Sequence, residues 1–93
     1  MISKRVVIRN ELGLHARAAA KFVSLANKFT STIRVSRDAL TVDGKSIMGV
    51  LLLAATYGTS LTLTAEGEDE ERALAALSEL VEQNFGETRQ KKG

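Results

Sequence analysis

The chain has 93 residues, 13 of them basic and 11 acidic, for a formal net charge of +2. That length suits one domain with a modest core and leaves no room for an enzyme with its own cofactor domain. Cysteine is absent and histidine occurs once, which excludes disulfides, thiolate metal sites and an ordinary zinc site; four aromatics without Trp also give little support to base stacking on nucleic acid.

Val6 and Ile8 alternate with Arg5, Val7 and Arg9, the period of a strand with one buried face. Asn10 to Leu14, with Gly13, reads as a loop. From Ala16 to Phe29, apolar residues at 19, 22, 23, 26 and 29 predict a helix with one core-facing stripe. Ser31 to Arg37 is rich in β-branched residues, with Ile33 and Val35 inward. Asp38-Ala39 is a turn, and Leu40 and Val42 form the partner strand of a hairpin.

Ser46 is placed as the N-cap of a short helix whose apolar stripe is Ile47, Val50, Leu51 and Ala54, with Gly58 ending it. Ser60 to Glu66 alternates polar residues with Leu61, Leu63 and Ala65, a half-buried strand. The acidic run Glu68–Glu71 matches the positive end of a helix dipole, with Asp69 able to cap. The stripe of that last helix is Ala73, Leu74, Leu77, Leu80 and Val81, and Gly86 supplies a left-handed stop. From Glu87 onward the chain is polar and is expected to be disordered.

The order β-α-β-β-α-β-α, with every strand apolar on one face only, predicts an α+β fold: a four-stranded antiparallel sheet covered on one face by three helices. Residues 1–88 are expected to form one domain and 89–93 a disordered basic tail. Met1 to Arg9 has no long apolar region of the secretory type, and the longest apolar run, Val50 to Ala55, is far below the roughly 20 residues of a membrane span. The expectation is a cytoplasmic monomer that needs no cofactor, inserts into no membrane and binds no nucleic acid.

The charge is polarised. Residues 1–65 carry nine Lys or Arg against Glu11, Asp38 and Asp43, whereas 66–88 carry eight carboxylates against Arg72. The basic half holds His15, at the point where loop becomes helix. Free N–H groups at a helix N-terminus attract an anion, and Arg17, two residues on, can pair with it. A positive helix end also favours the neutral, nucleophilic ring. A neutral imidazole beside an anion site is what a phosphoryl acceptor requires; the competing reading is an exposed histidine with no special task. Ser46 is explained as an N-cap, yet a phosphate there would place negative charge beside Ile47 and Met48. Ile47, Met48, Leu51 and Leu52 cannot all point inward from so short a helix. With Leu14, Ala19 and Ala20 they form a candidate docking face, rimmed by Arg17, Lys21 and Lys45 and suited to partners with acidic margins.

Gly13-Leu14-His15-Ala16-Arg17 and Gly44-Lys45-Ser46-Ile47-Met48-Gly49-Val50 resemble the two signature segments of the histidine-containing phosphocarrier protein family, HPr. Their separation and the order of elements are also similar, over about residues 1–86. The resemblance implies an open-faced β-sandwich. It implies a phosphoryl carrier, not an enzyme in its own right, in a phosphoenolpyruvate-dependent phosphotransferase system. His15 would accept the group on Nδ1 from phospho-enzyme I, assisted by Arg17, and pass it to a histidine of an enzyme IIA domain. Ser46 would be the regulatory serine phosphorylated by HPr kinase/phosphorylase. Leu51 to Ala55 with Gly58-Thr59 also resembles carriers of the nitrogen-related branch, so a regulatory carrier moving little sugar is an alternative; a mixed α/β interaction module without phosphoryl transfer is a remoter one. One position departs from the family: Ala18 stands where Pro is usual, restoring a backbone N–H and a freer φ.

Overall fold

A computed structural model of the protein describes residues 1–87; the tail expected at 89–93 lies outside them. The elements are β1 (Ile2–Val7), α1 (Ala16–Ala26), β2 (Thr32–Arg37), β3 (Leu40–Asp43), α2 (Ile47–Leu52), β4 (Ser60–Glu66) and α3 (Glu70–Glu82), followed by a 3-10 turn, Asn84–Gly86. The order is the expected β-α-β-β-α-β-α. The strands form one antiparallel sheet in the spatial order β1-β4-β2-β3. Because β4 pairs antiparallel with both β1 and β2, those two strands run parallel with β4 between them. The same relation holds for β3 and β4 around β2. Two interlocked split β-α-β units result, and each crossover carries its helix to the same side of the sheet.

The strand period decides which side that is. Val6, Ile33, Val35, Leu61, Leu63 and Ala65 are buried under the helices. The opposite face is polar: Ser3 Oγ lies 3.1 Å from Thr64 Oγ1 across β1 and β4, and Ser36 Oγ lies 2.9 Å from Thr41 Oγ1 across β2 and β3. Such cross-strand pairs suit a face left to water. The third helix lies on β1 and β4, and α1 packs against both α2 and α3.

The helices depart from expectation at their ends. Ala18, Ala19, Phe22, Val23 and Ala26 form the buried stripe of α1, but the helix stops three residues before Phe29. Asn27 Nδ2 donates to the Val23 carbonyl at 3.0 Å, and the next amides, Lys28 and Phe29, take tighter three-residue bonds to Leu25 and Ala26. This is the familiar competition of an Asn side chain with the helix backbone. Phe29 still packs against the core from outside the helix.

The short α2 ends at Leu52 rather than at Gly58. Ala54 takes a positive φ of 49°, and Arg37 Nη1 donates to the Leu53 and Ala54 carbonyls, each at 2.8 Å. A guanidinium on the last carbonyls satisfies groups that a longer helix would have bonded internally. Of the expected α2 stripe only Val50 is buried; Ile47, Leu51 and Ala54 are exposed, and Leu53 enters the core instead.

Asp69 occupies the N-cap position of α3 without a capping bond from its side chain. Its carboxylate instead accepts the Thr30 and Ser31 amide N–H groups at 2.9 and 3.0 Å, together with the Ser31 hydroxyl. The Ser31 hydroxyl first, then the Thr30 N–H, pull the Asp69 carboxyl down to about 2. Glu70 reaches back to accept the Gly67 N–H at 3.0 Å, which ties the preceding turn to the start of the helix. At its other end α3 stops at Glu82, and Gly86, with φ 76°, closes the 3-10 turn rather than the α-helix itself. Phe85 within that turn is buried, a core residue outside every stripe read from the sequence.

Candidate functional site

The loop before α1 is held against the segment that follows α2. Leu14 N–H donates to the Ala55 carbonyl at 2.8 Å, Ile8 N–H to Thr59 at 2.9 Å and Gly58 N–H to Ile8 at 2.7 Å. Gly13 has φ +71°, and a Cβ there would stand 2.8 Å from the Ala55 carbonyl oxygen. Only glycine allows both the turn and the close approach. Leu14 is 7% exposed and Ala19 is fully buried, so both belong to the core and not to the docking face on which they were expected. Pinning Leu14 fixes the residue that follows it.

That residue is His15, the N-cap of α1, with extended backbone (φ −83°, ψ 178°). Its Nδ1 accepts the Arg17 backbone N–H at 3.2 Å, so this nitrogen faces the helix N-terminus. An imidazole here does the work of the usual Ser or Asp cap. The other ring nitrogen, Nε2, contacts Glu87 Oε2. The second carboxylate oxygen of Glu87 accepts from Asn10 Nδ2 at 3.1 Å, and Asn10 Nδ2 also donates to the Gly13 carbonyl at 2.7 Å. Burial pushes the Glu87 carboxyl up, but the hydrogen bonds from His15 and Asn10, with the charges of His15 and Lys21, outweigh it and hold it below the ordinary glutamate range. Glu87 was expected to begin a disordered end; it is instead part of the His15 site. Neither Glu87 nor Asn10 carried a signal in the sequence. Each is a single polar residue in a polar stretch, and only the return of the chain after α3 brings them together.

A surface groove runs across His15 and also takes in Arg9, Arg17, Lys21, Tyr57 and Glu87. Arg17 is exposed at the first turn of α1. The Lys21 ammonium donates to the Phe85 carbonyl at 2.9 Å, which holds one positive charge near the Glu87 carboxylate. No residue of α2 lines this groove.

Ser46 lies on a separate element. It is the N-cap of α2, and its Oγ accepts the Gly49 N–H at 3.0 Å, as its spacing predicts. A Cβ at Gly49 would press on the Asp43 carbonyl oxygen at 3.2 Å and lie in ordinary contact with Ser46 Oγ at 3.4 Å. Lys45 is anchored at both ends: its N–H donates to Asp43 Oδ1 at 2.9 Å and its Nζ to the Phe29 carbonyl at 2.7 Å. Ile47, Met48, Leu51 and Leu52 are 44, 78, 37 and 69% exposed, an apolar surface on α2. Ala20 is exposed on α1. Among the described residues no group of three or more metal-ligating side chains forms a site, and no helix is long and apolar enough to cross a membrane.

Residues 2–83 match the family model described as the PTS HPr component phosphorylation site. The chain is 52% identical over 88 residues to the phosphocarrier protein HPr of Pseudomonas aeruginosa, covering 94% of this chain and 98% of that one. It is 48% identical over 87 residues to HPr of Cupriavidus necator, with the same coverage. Among solved structures it is similar to HPr-C-His from Thermoanaerobacter tengcongensis, with a TM-score of 0.91 and 47% identity over 96% of this chain and all of that one. With the fold and both signature segments in place, the chain belongs to the HPr family of phosphocarrier proteins.

Proposed function

We propose that this chain carries a phosphoryl group on His15, taking it from phospho-enzyme I, with phosphoenolpyruvate as the source, and passing it to a histidine of an enzyme IIA domain. The observation that carries the reading is the orientation of the ring: Nδ1 is turned to the N-terminus of α1, where it accepts the Arg17 N–H. A long, 3.2 Å bond of this kind yields easily when the lone pair is needed for attack. In that attack the lone pair of Nδ1 forms a bond to phosphorus in line with the departing nitrogen of the donor histidine. The donor N–P bond breaks, and its electron pair returns to the donor ring. Little covalent work falls to the protein, so positioning and charge supply the catalysis. The N–H groups of the first turn and the Arg17 guanidinium meet the phosphoryl oxygens. Ala18 adds one N–H to that turn that Pro would lack. The carrier turns over only through its partners and is not an enzyme by itself.

Partner contact in this reading uses the groove with Arg17 and Lys21, together with Ala20 and the exposed apolar surface of α2, where Ile47, Met48, Leu51 and Leu52 lie beside Lys45. Phosphorylation of Ser46 by HPr kinase/phosphorylase would put about two negative charges at the edge of that surface and weaken docking without unfolding the domain. We read the protein as a cytoplasmic monomer; a dimer of HPr from T. tengcongensis is among the similar solved structures, so sedimentation is the direct check.

A second reading keeps the chemistry and changes the output to a regulatory or nitrogen-related branch. Its regulatory form is supported by 46% identity over 83 residues to the HPr-like protein Crh of Bacillus subtilis, described as a catabolite repression HPr. Which enzyme IIA domains drain the phosphate distinguishes the two. The carrier reading itself is tested by incubation with enzyme I and phosphoenolpyruvate. One acid-labile phosphate on the wild type and none on His15→Ala is the expected result; an unmodified wild type overturns it.

A further inference from the structure

Glu87 is the last described residue, and four features hold it over the imidazole. Phe85 is buried and anchors the 3-10 turn. Gly86, at φ 76°, turns the chain back toward α1. Lys21 Nζ grips the Phe85 carbonyl at 2.9 Å. Asn10 Nδ2, from a buried side chain, grips Glu87 Oε1 at 3.1 Å, which leaves Oε2 against His15 Nε2. The ring is therefore placed between opposite influences: the positive end of α1 at Nδ1 and a carboxylate at Nε2.

We propose that Glu87 is a positioning residue for phosphoryl transfer, holding the Nε2 proton of His15 through the whole cycle and balancing the positive charge the ring acquires when Nδ1 carries the phosphoryl group. The inference rests on His15 being the phosphoacceptor. When Nδ1 forms its bond to phosphorus, the ring keeps its Nε2 proton and becomes cationic beside the phosphoryl dianion. On donation the Nδ1–P bond breaks and its electron pair returns to Nδ1. The ring then leaves as neutral imidazole, because the proton never left Nε2. A ring that had lost that proton would have to leave as an imidazolide anion, a much poorer leaving group. Carboxylate–histidine pairs elsewhere fix the tautomer and steady the imidazolium in the same manner. The charged groups around the contact are consistent with this role. Lys21 and His15 face the carboxylate, Arg9 and Arg17 line the groove, and Glu11 and Glu82 are its other acidic members. With Arg17 and Lys21 present, the phosphoryl group does not meet a net negative site.

The test uses the full chain, labelled with ¹⁵N in the imidazole, as wild type, Glu87→Gln and Glu87→Ala. Potassium phosphoramidate supplies the phosphoryl group without a partner: its P–N bond breaks and ammonia leaves. The ¹⁵N shifts then report the ratio of protonated to unprotonated Nε2 in the phosphorylated ring at neutral pH. The glutamine amide oxygen still accepts the Nε2 hydrogen but carries no charge, so a merely structural role predicts no change for Glu87→Gln. The proposal predicts a ratio about tenfold lower in Glu87→Gln and in Glu87→Ala. A ratio within twofold of wild type in Glu87→Gln overturns it, whatever Glu87→Ala shows, and so does a wild-type His15 that phosphoramidate leaves unmodified. If phosphoramidate labels the wild type and the ratio falls as predicted while enzyme I with phosphoenolpyruvate adds no phosphate, the carrier reading fails and the role of Glu87 toward the ring stands.

Discussion

The carboxylate of Asp69 accepts both the backbone N–H of Ser31, at 3.0 Å, and the Ser31 hydroxyl, and so ties the start of α3 to the residue that precedes β2. Gly67 makes the approach possible: a Cβ there would stand 2.6 Å from Ser31 Oγ. The bonds hold the folded-state carboxyl at about 2, below its ordinary value of 3.8. A depressed carboxylate contributes stability that is present above the unfolded value and is lost as pH falls through the folded one. Urea midpoints of the wild type should therefore decline between about pH 4 and pH 2, and Asp69→Asn should flatten that part of the curve. Identical acid limbs for the two proteins would contradict the assignment.

Arg37 should hold the end of α2 in place. Its Nη1 donates to two carbonyls left open where the helix stops. Arg37→Ala is expected to cost about 1 kcal/mol, below the usual range for a charged donor because one of its two bonds is exposed and the other only partly buried. Amide exchange at Leu53 to Ala55 should rise with it. Unchanged exchange there would mean that the bonds do not hold the helix end.

Phe85→Ala should destabilise the protein by about 3–5 kcal/mol, as for other buried phenylalanines cut to alanine. The same substitution removes the anchor that carries Glu87 to His15. The His15 and Asn10 side-chain resonances should shift together in the variant, provided it is studied at a temperature where it remains folded. A loss of only a few tenths of a kcal/mol would place Phe85 outside the core.

Ala18 occupies the third position of α1, ahead of the first intrahelical bond, which runs from Ala19 N–H to the His15 carbonyl at 2.8 Å. Its own N–H is not needed by the helix. Ala18→Pro should therefore fold and gain about 0.4–1 kcal/mol through the unfolded chain. If the Ala18 N–H helps to hold the phosphoryl group, the gain comes with slower acceptance from enzyme I. A destabilised Ala18→Pro would show that φ at this position is not compatible with proline.

Much of this was legible in the chain. Alternation at Ile33, Val35, Leu61 and Leu63 identified the buried face of the sheet, because the strand period leaves no other arrangement. His15 and Ser46 declared themselves by sitting at helix starts within two distinctive segments. What was not legible depends on contacts between distant residues. Asp69 looked like a helix cap, but Ser31 outcompeted the helix for its carboxylate. The sequence stays apolar from Val50 through Ala55, but the helix stops at Leu52, where Ala54 turns to a positive φ and Arg37 reaches across from β2 to the Leu53 and Ala54 carbonyls. Leu14 looked like a surface residue beside the histidine until the Ala55 carbonyl drew its backbone inward. Asn10, Phe85 and Glu87 are single residues with no periodic pattern, and the 3-10 turn that gathers them rests on positive φ at Asn84 and Phe85, a conformation that Asn tolerates but Phe does not announce.

Carrier chemistry in this protein turns on one nitrogen atom. After incubation of the full chain with enzyme I and phosphoenolpyruvate, ³¹P and ¹⁵N spectra of the imidazole identify which ring nitrogen carries phosphate. The expected result is a single phosphohistidine at His15 linked through Nδ1, with Nε2 still bearing its proton beside Glu87. Phosphate on Nε2, or on any residue other than His15, would contradict it.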